Sequence, residues 1–251
     1  MTENDWHRII AAESHLPPDA AYQLRENGFV VMPGPEIPGG IKQLSNAYDS
    51  AVVSADPADV RVSKIGSQTR IDDFVNRGPE FDGIYIYPPL LAACCQIIGG
   101  PFKLSGMRAR TLNPGAPREG LHVDVKYQAK DWPLVGCILM VDAFDAENGA
   151  TRFVPRSHLQ PREPGEVMKN PDDVHDEQVL ACGAAGSIIL FNASVWHSHS
   201  ANRSARPRRS IQAHFVPRDA RPSTDHSARM RPETFRRISE LAKYVLGVTK
   251  T

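Results

Sequence analysis

The sequence has 251 residues, and its 29 lysines and arginines balance its 29 aspartates and glutamates, so the formal net charge is zero. Without a net charge or a run of like charges, a nucleic-acid or membrane partner is disfavoured and a small-molecule partner is favoured. No signal-peptide pattern is found, and no apolar run reaches the roughly 18 residues of a membrane span, which predicts a soluble, cytoplasmic protein. The four cysteines form no CxxC pair and are predicted to be reduced core thiols.

The first hundred residues predict helices with a single strand among them. Helical periodicity and start and stop signals predict helices at 19–27, 41–55 and 88–98, with glycines closing the first and third. The stretch FVVMP, residues 29–33, predicts a short strand. The apolar faces of these helices must be buried against another element, and a sheet would provide it.

The sheet is predicted from residue 102 onward. Runs at 102–112, 133–144, 151–155, 178–183, 186–193 and 208–217 are strand-like and separated by turn residues, and a closing helix is predicted at about 232–247. Helices followed by many strands predict a mainly β fold, a barrel or two-sheet jelly roll with flanking helices. We expect a single domain over 1–251, with a helix-rich part at 1–100 and a jelly-roll core at about 101–218.

The last predicted strand alternates in polarity. Its even positions, from Arg208 to His214, are polar, and its odd positions, from Ile211 to Phe215, are apolar. Because strand side chains alternate between faces, one face of this strand carries four polar groups. The pattern alone favours a solvent-facing stripe, and the motif that precedes the strand favours an inward-facing one.

A His-x-Asp triplet lies near the middle of the chain, in the stretch REGLHVDVKYQ. Residues i and i+2 of a strand share a face, so His122 and Asp124 can point at one atom while Val123 packs the other way. Two ligands are too few for a first-row metal. A further histidine would complete the 2-His-1-carboxylate set of non-haem Fe(II) oxygenases.

Three motifs together resemble the phytanoyl-CoA dioxygenase family of Fe(II)/2-oxoglutarate-dependent oxygenases. The first is the His-x-Asp triplet, and the second is DAENGATRFVPRSH, residues 145–158. The third is Trp196-His197, with Asn202 five and Arg208 eleven residues after the histidine. With ENGFVVMPG near the start, the resemblance spans nearly the whole chain.

The resemblance implies a double-stranded β-helix with Fe(II) held near one mouth by His122, Asp124 and His197. The spacing to the asparagine and the arginine favours His197 over His199 as the distal ligand. Arg208 has a further physical basis, because a guanidinium binds a carboxylate through two donors, and Ser210 on the same face adds a hydroxyl. Thr151 resembles the family position that adds another hydroxyl to 2-oxoglutarate.

The sequence departs from the family pattern in three places. Arg156 replaces a glycine, and the pair Arg208-Arg209 leaves the assignment ambiguous by one residue. Glu119 stands where many relatives have a glutamine near the co-substrate. A carboxylate there would repel 2-oxoglutarate unless it is protonated or paired, so Glu119 either points away, toward Arg118, or changes how the co-substrate is handled.

The implied reaction consumes O2 and 2-oxoglutarate, releases succinate and CO2, and oxidises a C–H bond of a small metabolite. No catalytic residue is expected beyond the metal site, and retention of Asp124 favours hydroxylation over halogenation. Segment 63–87 is predicted to cover the mouth, with Arg70, Asp73 and Asn76 as substrate contacts, or else to be a solvated loop whose charges pair among themselves. A cupin-like isomerase with another metal and a metal-free binding module remain as alternatives.

Overall fold

A computed structural model of the chain describes residues 2–63, 66–126 and 134–248. The α-helices in these residues are α1 (Glu3–Glu13), α2 (Pro18–Asn27), α3 (Gly40–Val53), α4 (Pro88–Ile98), α5 (Pro164–Val167), α6 (His226–Arg229), α7 (Pro232–Arg237) and α8 (Glu240–Leu246). The strands are β1 (Phe29–Pro33), β2 (Val60–Val62), β3 (Gln68–Ile71), β4 (Phe102–Leu112), β5 (Val135–Met140), β6 (Thr151–Val154), β7 (Val179–Ala181), β8 (Ser187–Asn192), β9 (Trp196–His199) and β10 (Arg208–Pro217).

The strands form two antiparallel sheets. The larger has the order β1-β8-β5-β10-β4-β3-β2 and the smaller the order β7-β6-β9. Strand β10 lies inside the larger sheet and pairs along its length with β4 on one side and β5 on the other. Apart from the β2-β3 and β3-β4 pairs, neighbouring strands of the larger sheet are therefore not consecutive in sequence, as in a jelly roll, and β10 is held between two partners.

The helices cover one face of the larger sheet. Leu24, Leu44 and Leu91 of α2, α3 and α4 are buried in one apolar cluster with Ile211 and Phe215 of β10. Burial of this apolar surface is the main favourable contribution to folding. Because the odd positions of β10 face the helices, its even positions face the smaller sheet.

The predicted helix boundaries agree closely with those observed. Helix α2 ends at Gly28, whose φ of 84° is left-handed and whose N–H donates to the carbonyl of Leu24. Helix α4 begins at the predicted proline pair and ends at Gly99, with a φ of 72°. Glycine adopts this conformation without the steric cost that a side chain brings, which explains why glycines in the sequence predicted these helix ends correctly.

Several elements were not predicted. Helix α1 is started by a capping box between Thr2 and Asp5, and β2, β3 and β9 are strands of only 3 or 4 residues. Part of the segment predicted to cover the mouth is thus a strand of the larger sheet; Lys64 and Ile65 of that segment lie outside the described residues. Cys182 is exposed, so the prediction of core thiols is wrong for this residue.

The predicted C-terminal helix is two helices, α7 and α8. Ile238 between them is extended, with a ψ of 150°, and the Ser239 hydroxyl accepts from the N–H of Ala242 to begin α8. The guanidinium of Arg237 is held by Asp82 and by backbone carbonyls of the N-terminal part, which fixes the end of α7. A serine cap inside an apolar periodic run is the signal that marks this break. No helix in the described ranges has the length and apolarity to cross a membrane.

Candidate active site

The two sheets enclose a cavity of about 120 Å³. Strands β3, β4, β5, β8 and β10 contribute lining residues from the larger sheet, and β6 and β9 from the smaller. Arg208, Gln212 and His214 of β10 line the cavity, so the polar face of this strand points into the protein and not to solvent. The geometry therefore supports the inward-facing stripe that the preceding histidine motif predicted, and not the solvent-facing stripe that the polarity pattern alone favoured.

His122, Asp124 and His197 meet at this cavity. One possible ligand atom from each residue lies within 4.8 Å of those of the other two. The segment around His122 is not a strand; it forms a single antiparallel bridge in which the backbones of His122 and His197 exchange hydrogen bonds of 3.1 and 3.0 Å. Val123 packs away from the cavity beside Leu121 and Trp196, as predicted.

Backbone carbonyls set the orientation of both imidazole rings. Nδ1 of His122 lies 3.0 Å from the carbonyl oxygen of Gly120, and Nδ1 of His197 lies 2.9 Å from that of Val195. A carbonyl oxygen only accepts, so Nδ1 carries a proton in both rings, and Nε2 is the atom of each ring that can bind a metal. Both Nε2 atoms face Asp124, at 3.9 Å for His122 and 3.5 Å for His197.

The charges of this cluster suit a cation. Burial alone would raise the pKa of Asp124, but His197 and His214 beside it lower that pKa well below its usual range, so the carboxylate is ionised. Burial and the neighbouring His197 lower the pKa of His122, which keeps its ring neutral at pH 7. An ionised carboxylate and imidazole lone pairs are the donors that bind a first-row metal.

His214 is a neighbour of this cluster that sequence reasoning did not single out as a contact. Its Nε2 lies 3.3 Å from Oδ2 of Asp124, the oxygen that also faces His197. A ligating carboxylate is commonly fixed by such a partner. The signal was present in the sequence, because His214 lies on the same strand face as Arg208.

Arg208 and Arg209 have opposite environments, which resolves the ambiguity between them. Arg209 is saturated by Asp49 and Asp142 on the far side of the sheet. Arg208 is only 2% exposed, stacks 4.2 Å above the Phe144 ring, and donates one hydrogen bond, to the carbonyl of Gly149.

Among the residues that the structure describes, no carboxylate lies within ion-pair distance of the buried Arg208. Its Nε is buried without a hydrogen-bond partner. Burial and the nearby Arg110 lower its pKa to about 9, a shift that expresses the cost of a buried cation without an anion. A carboxylate arriving from outside would remove that cost.

The two predicted hydroxyl groups differ in position. Thr151, 4% exposed, lines the cavity between the sheets. Ser210 is fully buried, and its hydroxyl donates to the carbonyl of Arg110 at 3.3 Å. Thr151 is therefore available to a ligand in this conformation, whereas Ser210 is engaged by the neighbouring strand.

Glu119 does not point toward Arg118. Its Oε2 accepts from Arg110 at 2.9 Å and lies 3.5 Å from Nε2 of His199. Burial raises the pKa of Glu119, but Arg110 lowers it by more, to about 2. The carboxylate is thus ionised and paired, and its charge is compensated before any co-substrate binds. His199 is buried beside this pair and lines the cavity.

The structure brings only Arg70 of the three predicted substrate contacts to the cavity. Asp73 and Asn76 are buried elsewhere: the Asn76 amide donates to Asp73 at 2.9 Å and to the carbonyl of Arg229. The charges of segment 63–87 pair with residues outside it, such as Arg77 with Asp59 and Asp82 with Arg237, so the alternative of a solvated loop whose charges pair among themselves is not what the structure shows. Conversely, Arg108 and Arg110 line the cavity and were missed, although their i, i+2 spacing on one strand was a readable signal.

Comparison with known proteins agrees with this geometry. Residues 24–210 match the phytanoyl-CoA dioxygenase (PhyH) family, which is most of the chain. The protein belongs to the phytanoyl-CoA dioxygenase family.

This family member is also similar to named fungal dioxygenases. It is 26% identical over 225 residues to dioxygenase trt7 of Aspergillus terreus, covering 84% of this chain and 77% of that protein. It is 28% identical over 251 residues to the multifunctional dioxygenase prhA of Penicillium brasilianum, covering 91% of this chain and 81% of that protein.

Solved structures confirm the fold of this phytanoyl-CoA dioxygenase family member. HygX from Streptomyces hygroscopicus, solved with nickel and 2-oxoglutarate bound, has a TM-score of 0.65 at 14% identity and covers 82% of this chain and 89% of its own. SnoK, a non-haem α-ketoglutarate-dependent carbocyclase of nogalamycin biosynthesis, has a TM-score of 0.66 at 17% identity and covers 88% of this chain and 93% of its own. The predicted double-stranded β-helix with flanking helices is confirmed.

Proposed function

We propose that this protein is an Fe(II)- and 2-oxoglutarate-dependent dioxygenase that hydroxylates a C–H bond of a small metabolite. The observation that carries the proposal is the combination, in one cavity, of the His122–Asp124–His197 cluster with the buried and uncompensated Arg208. The proposal includes a single domain acting in the cytoplasm, with no nucleic-acid or membrane partner.

The cluster fits a divalent metal. Each imidazole is held by a backbone carbonyl at Nδ1 so that Nε2 is free, and the carboxylate is ionised. Two imidazoles and one carboxylate are the donor set of the facial triad, which leaves further positions open. When bound, Fe(II) supplies the oxidation of the substrate C–H bond by O2, coupled to conversion of 2-oxoglutarate to succinate and CO2.

Arg208 is the group that we assign to 2-oxoglutarate. Its free donors match the distal carboxylate of the co-substrate, and the Phe144 ring limits the directions that the guanidinium can take. Thr151 adds a hydroxyl at the same cavity. We keep Ser210 as a co-substrate contact, which requires its hydroxyl to turn from the carbonyl of Arg110.

Aromatic side chains hold the metal end of the cavity in place. The ring of Phe191 lies 4.9 Å from that of His197 between centroids, and Phe153 stacks on the same imidazole at 5.6 Å. These apolar contacts fix the imidazole and exclude water behind it. Exclusion of water strengthens every charge interaction inside the site.

The proposal is tested by anaerobic titration of the protein with Fe(II) and 2-oxoglutarate, followed by the visible charge-transfer absorption of the ternary complex. We expect the band in the wild type and in the control Asp176→Ala, which removes an exposed carboxylate. We expect no band for Asp124→Ala, and Arg208→Ala should need far more 2-oxoglutarate. Absence of the band from the wild type at saturating co-substrate would refute the proposal.

A further inference from the structure

The cavity contains more positive charge than the proposed co-substrate needs. Four arginines line it: Arg70, Arg108, Arg110 and Arg208. The carboxylates that face them are Asp124, in the lining, and Glu119, beside Arg110. A bound Fe(II) and the 2-oxoglutarate dianion would cancel in charge, so loading the site leaves the cationic excess unchanged.

Two of the four arginines already have a partner or an assigned ligand. Arg110 donates from Nε to Gln68 at 2.9 Å and from Nη2 to Glu119 at 2.9 Å, and it is 8% exposed. Arg208 is deeply buried and is the co-substrate arginine of the proposed function. Neither guanidinium is free for a further ligand.

The remaining two, Arg108 and Arg70, are half-buried and nearly unpartnered. The Arg108 guanidinium makes no hydrogen bond or ion pair within the described part of the chain, although it lines the cavity. Arg70 has only a 3.9 Å approach to Glu119, too long for a hydrogen bond. Both keep most of their donor capacity.

The sheet register places these arginines next to each other. Arg70 of β3 pairs directly with Arg110 of β4, and Arg108 is two residues along β4 on the same face. Arg108 in turn pairs with Gln212 of β10, which adds a neutral amide to the same surface. Like charges directly opposite in a sheet repel, and the Glu119 carboxylate lies against both Arg70 and Arg110, whereas no carboxylate of the described residues lies within ion-pair distance of Arg108.

We propose that Arg108 and Arg70, with Gln212 beside Arg108, bind an oxyanion group of the substrate, a carboxylate or a phosphate. This inference rests on the proposed function and names its substrate class: a small anionic molecule held by its charged group while a C–H bond faces the metal. Guanidinium groups bind both oxyanions through two parallel hydrogen bonds. Arg108 is the principal contact, because the guanidinium of Arg70 already lies 3.9 Å from the Glu119 carboxylate.

The test uses probes that share a phenyl ring and differ in their polar group. The wild-type protein is loaded anaerobically with Fe(II) and saturating 2-oxoglutarate, so that Arg208 is occupied, and is titrated calorimetrically with benzoate, phenyl phosphate and the neutral isostere benzamide. We expect one of the two anions to bind at least about tenfold tighter than benzamide. Which anion binds better identifies the oxyanion.

The variants locate the site. In Arg108→Gln the anion should lose about tenfold in affinity and its advantage over benzamide, in Arg70→Gln about threefold, and Arg108→Lys should restore part of the preference. The exposed control Arg236→Gln should behave as the wild type. In every variant the 2-oxoglutarate concentration that gives half of the visible band should stay within about twofold, which also shows that the protein is folded.

The two proposals fail in different ways. If the visible band never forms in the wild type, the proposed function fails. If the band forms but anions bind no better than benzamide, or Arg108→Gln keeps the anion preference, this inference is overturned and the function stands. If the Arg108 and Arg70 variants lose the 2-oxoglutarate band instead, these arginines hold the co-substrate, and the inference is again overturned.

Discussion

Two groups of buried charges in this protein are built in opposite ways. In the first, on the helical side, Asp59 is 3% exposed and accepts from Arg77 at 2.6 Å and from Arg229, and Asp73 accepts from Asn76. In the second, the cavity between the sheets, arginines outnumber carboxylates and Arg208 has a buried donor without a partner.

The difference distinguishes buried charges that stabilise the fold by pairing with each other from buried charges that are available to bind a ligand. A buried ion pair whose members satisfy each other links chain segments, here residues 59–77 with Arg229 near the C-terminus. A buried cation without an anion is costly, and such a cost persists in a protein where a ligand removes it. This contrast explains why Asp73 and Asn76, although polar and buried, do not lie at the cavity.

The largest expected effect tests the paired group. Asp59→Ala leaves Arg77, whose side chain is 4% exposed, without its carboxylate, so the free energy of unfolding should fall by about 3–5 kcal/mol. Urea denaturation measures this, with the exposed Asp176→Ala as control. The 2-oxoglutarate affinity of the folded variant should be unchanged. A loss below about 1 kcal/mol would contradict a structural role for this group.

The next largest effect tests the cavity charges by comparing substitutions of two adjacent arginines, Arg208 and Arg209. Arg208→Gln should weaken 2-oxoglutarate binding about 100-fold, equivalent to about 3 kcal/mol, because it removes the charged partner of the distal carboxylate. The matched Arg209→Gln should leave that affinity within about threefold, since Arg209 faces Asp49 and Asp142 instead.

In the ligand-free protein, Arg209→Gln should be more destabilising than Arg208→Gln, the reverse of their order in 2-oxoglutarate affinity. Loss of Arg208 removes a buried, uncompensated cation, so Arg208→Gln should not lower the free energy of unfolding, whereas Arg209→Gln breaks two ion pairs and should lower it. If Arg208→Gln were as destabilising as Asp59→Ala, the contrast between the two groups would be lost.

A smaller effect concerns Glu119, which compensates one cavity arginine. Glu119→Gln should lower the free energy of unfolding by about 1 kcal/mol at pH 7, because Arg110 loses a charged acceptor that is itself partly exposed. Arg110 lowers the pKa of Glu119 to about 2 from an ordinary value of 4.5, so the stabilisation is fully present above pH 4.5 and lost as the pH falls through about 2.

Urea denaturation at pH 7, 5 and 3.5 therefore checks the sign of this linkage. The deficit of Glu119→Gln relative to the wild type should be equal at pH 7 and 5 and smaller at pH 3.5. A deficit that grew on acidification would show that the carboxylate is not the stabilised form.

The smallest effect concerns Thr151. Thr151→Val keeps the shape of a 4% exposed side chain and removes its hydroxyl, so 2-oxoglutarate affinity should fall about fivefold, near 1 kcal/mol, with little change in stability. Ser210→Ala should have a weaker effect on affinity, because its hydroxyl donates to the carbonyl of Arg110. Equal affinities for Thr151→Val and wild type would remove Thr151 from the co-substrate contacts.

Local sequence signals predicted much of the fold. The ends of α2 and α4 could be predicted because glycine adopts the left-handed cap without strain. Strand β8 could be predicted from its apolar run, and β4 and β10 from their length between turn residues. Strands β2, β3 and β9 were missed because they have only 3 or 4 residues, and β3 and β9 also pair with strands that are distant in sequence. Such strands exist only through their hydrogen bonds to the sheet.

For the site, the sequence determined which residue types stand at family spacing, and so predicted His122, Asp124, His197 and Arg208 as one constellation. Tertiary structure decided the direction of each side chain. It separated Arg208 from Arg209, paired Glu119 with Arg110 instead of Arg118, and kept Asp73 away from the cavity. The physical reason is that spacing along a strand fixes the face of a residue, whereas its counter-charge comes from other segments of the chain, which only the folded packing brings close.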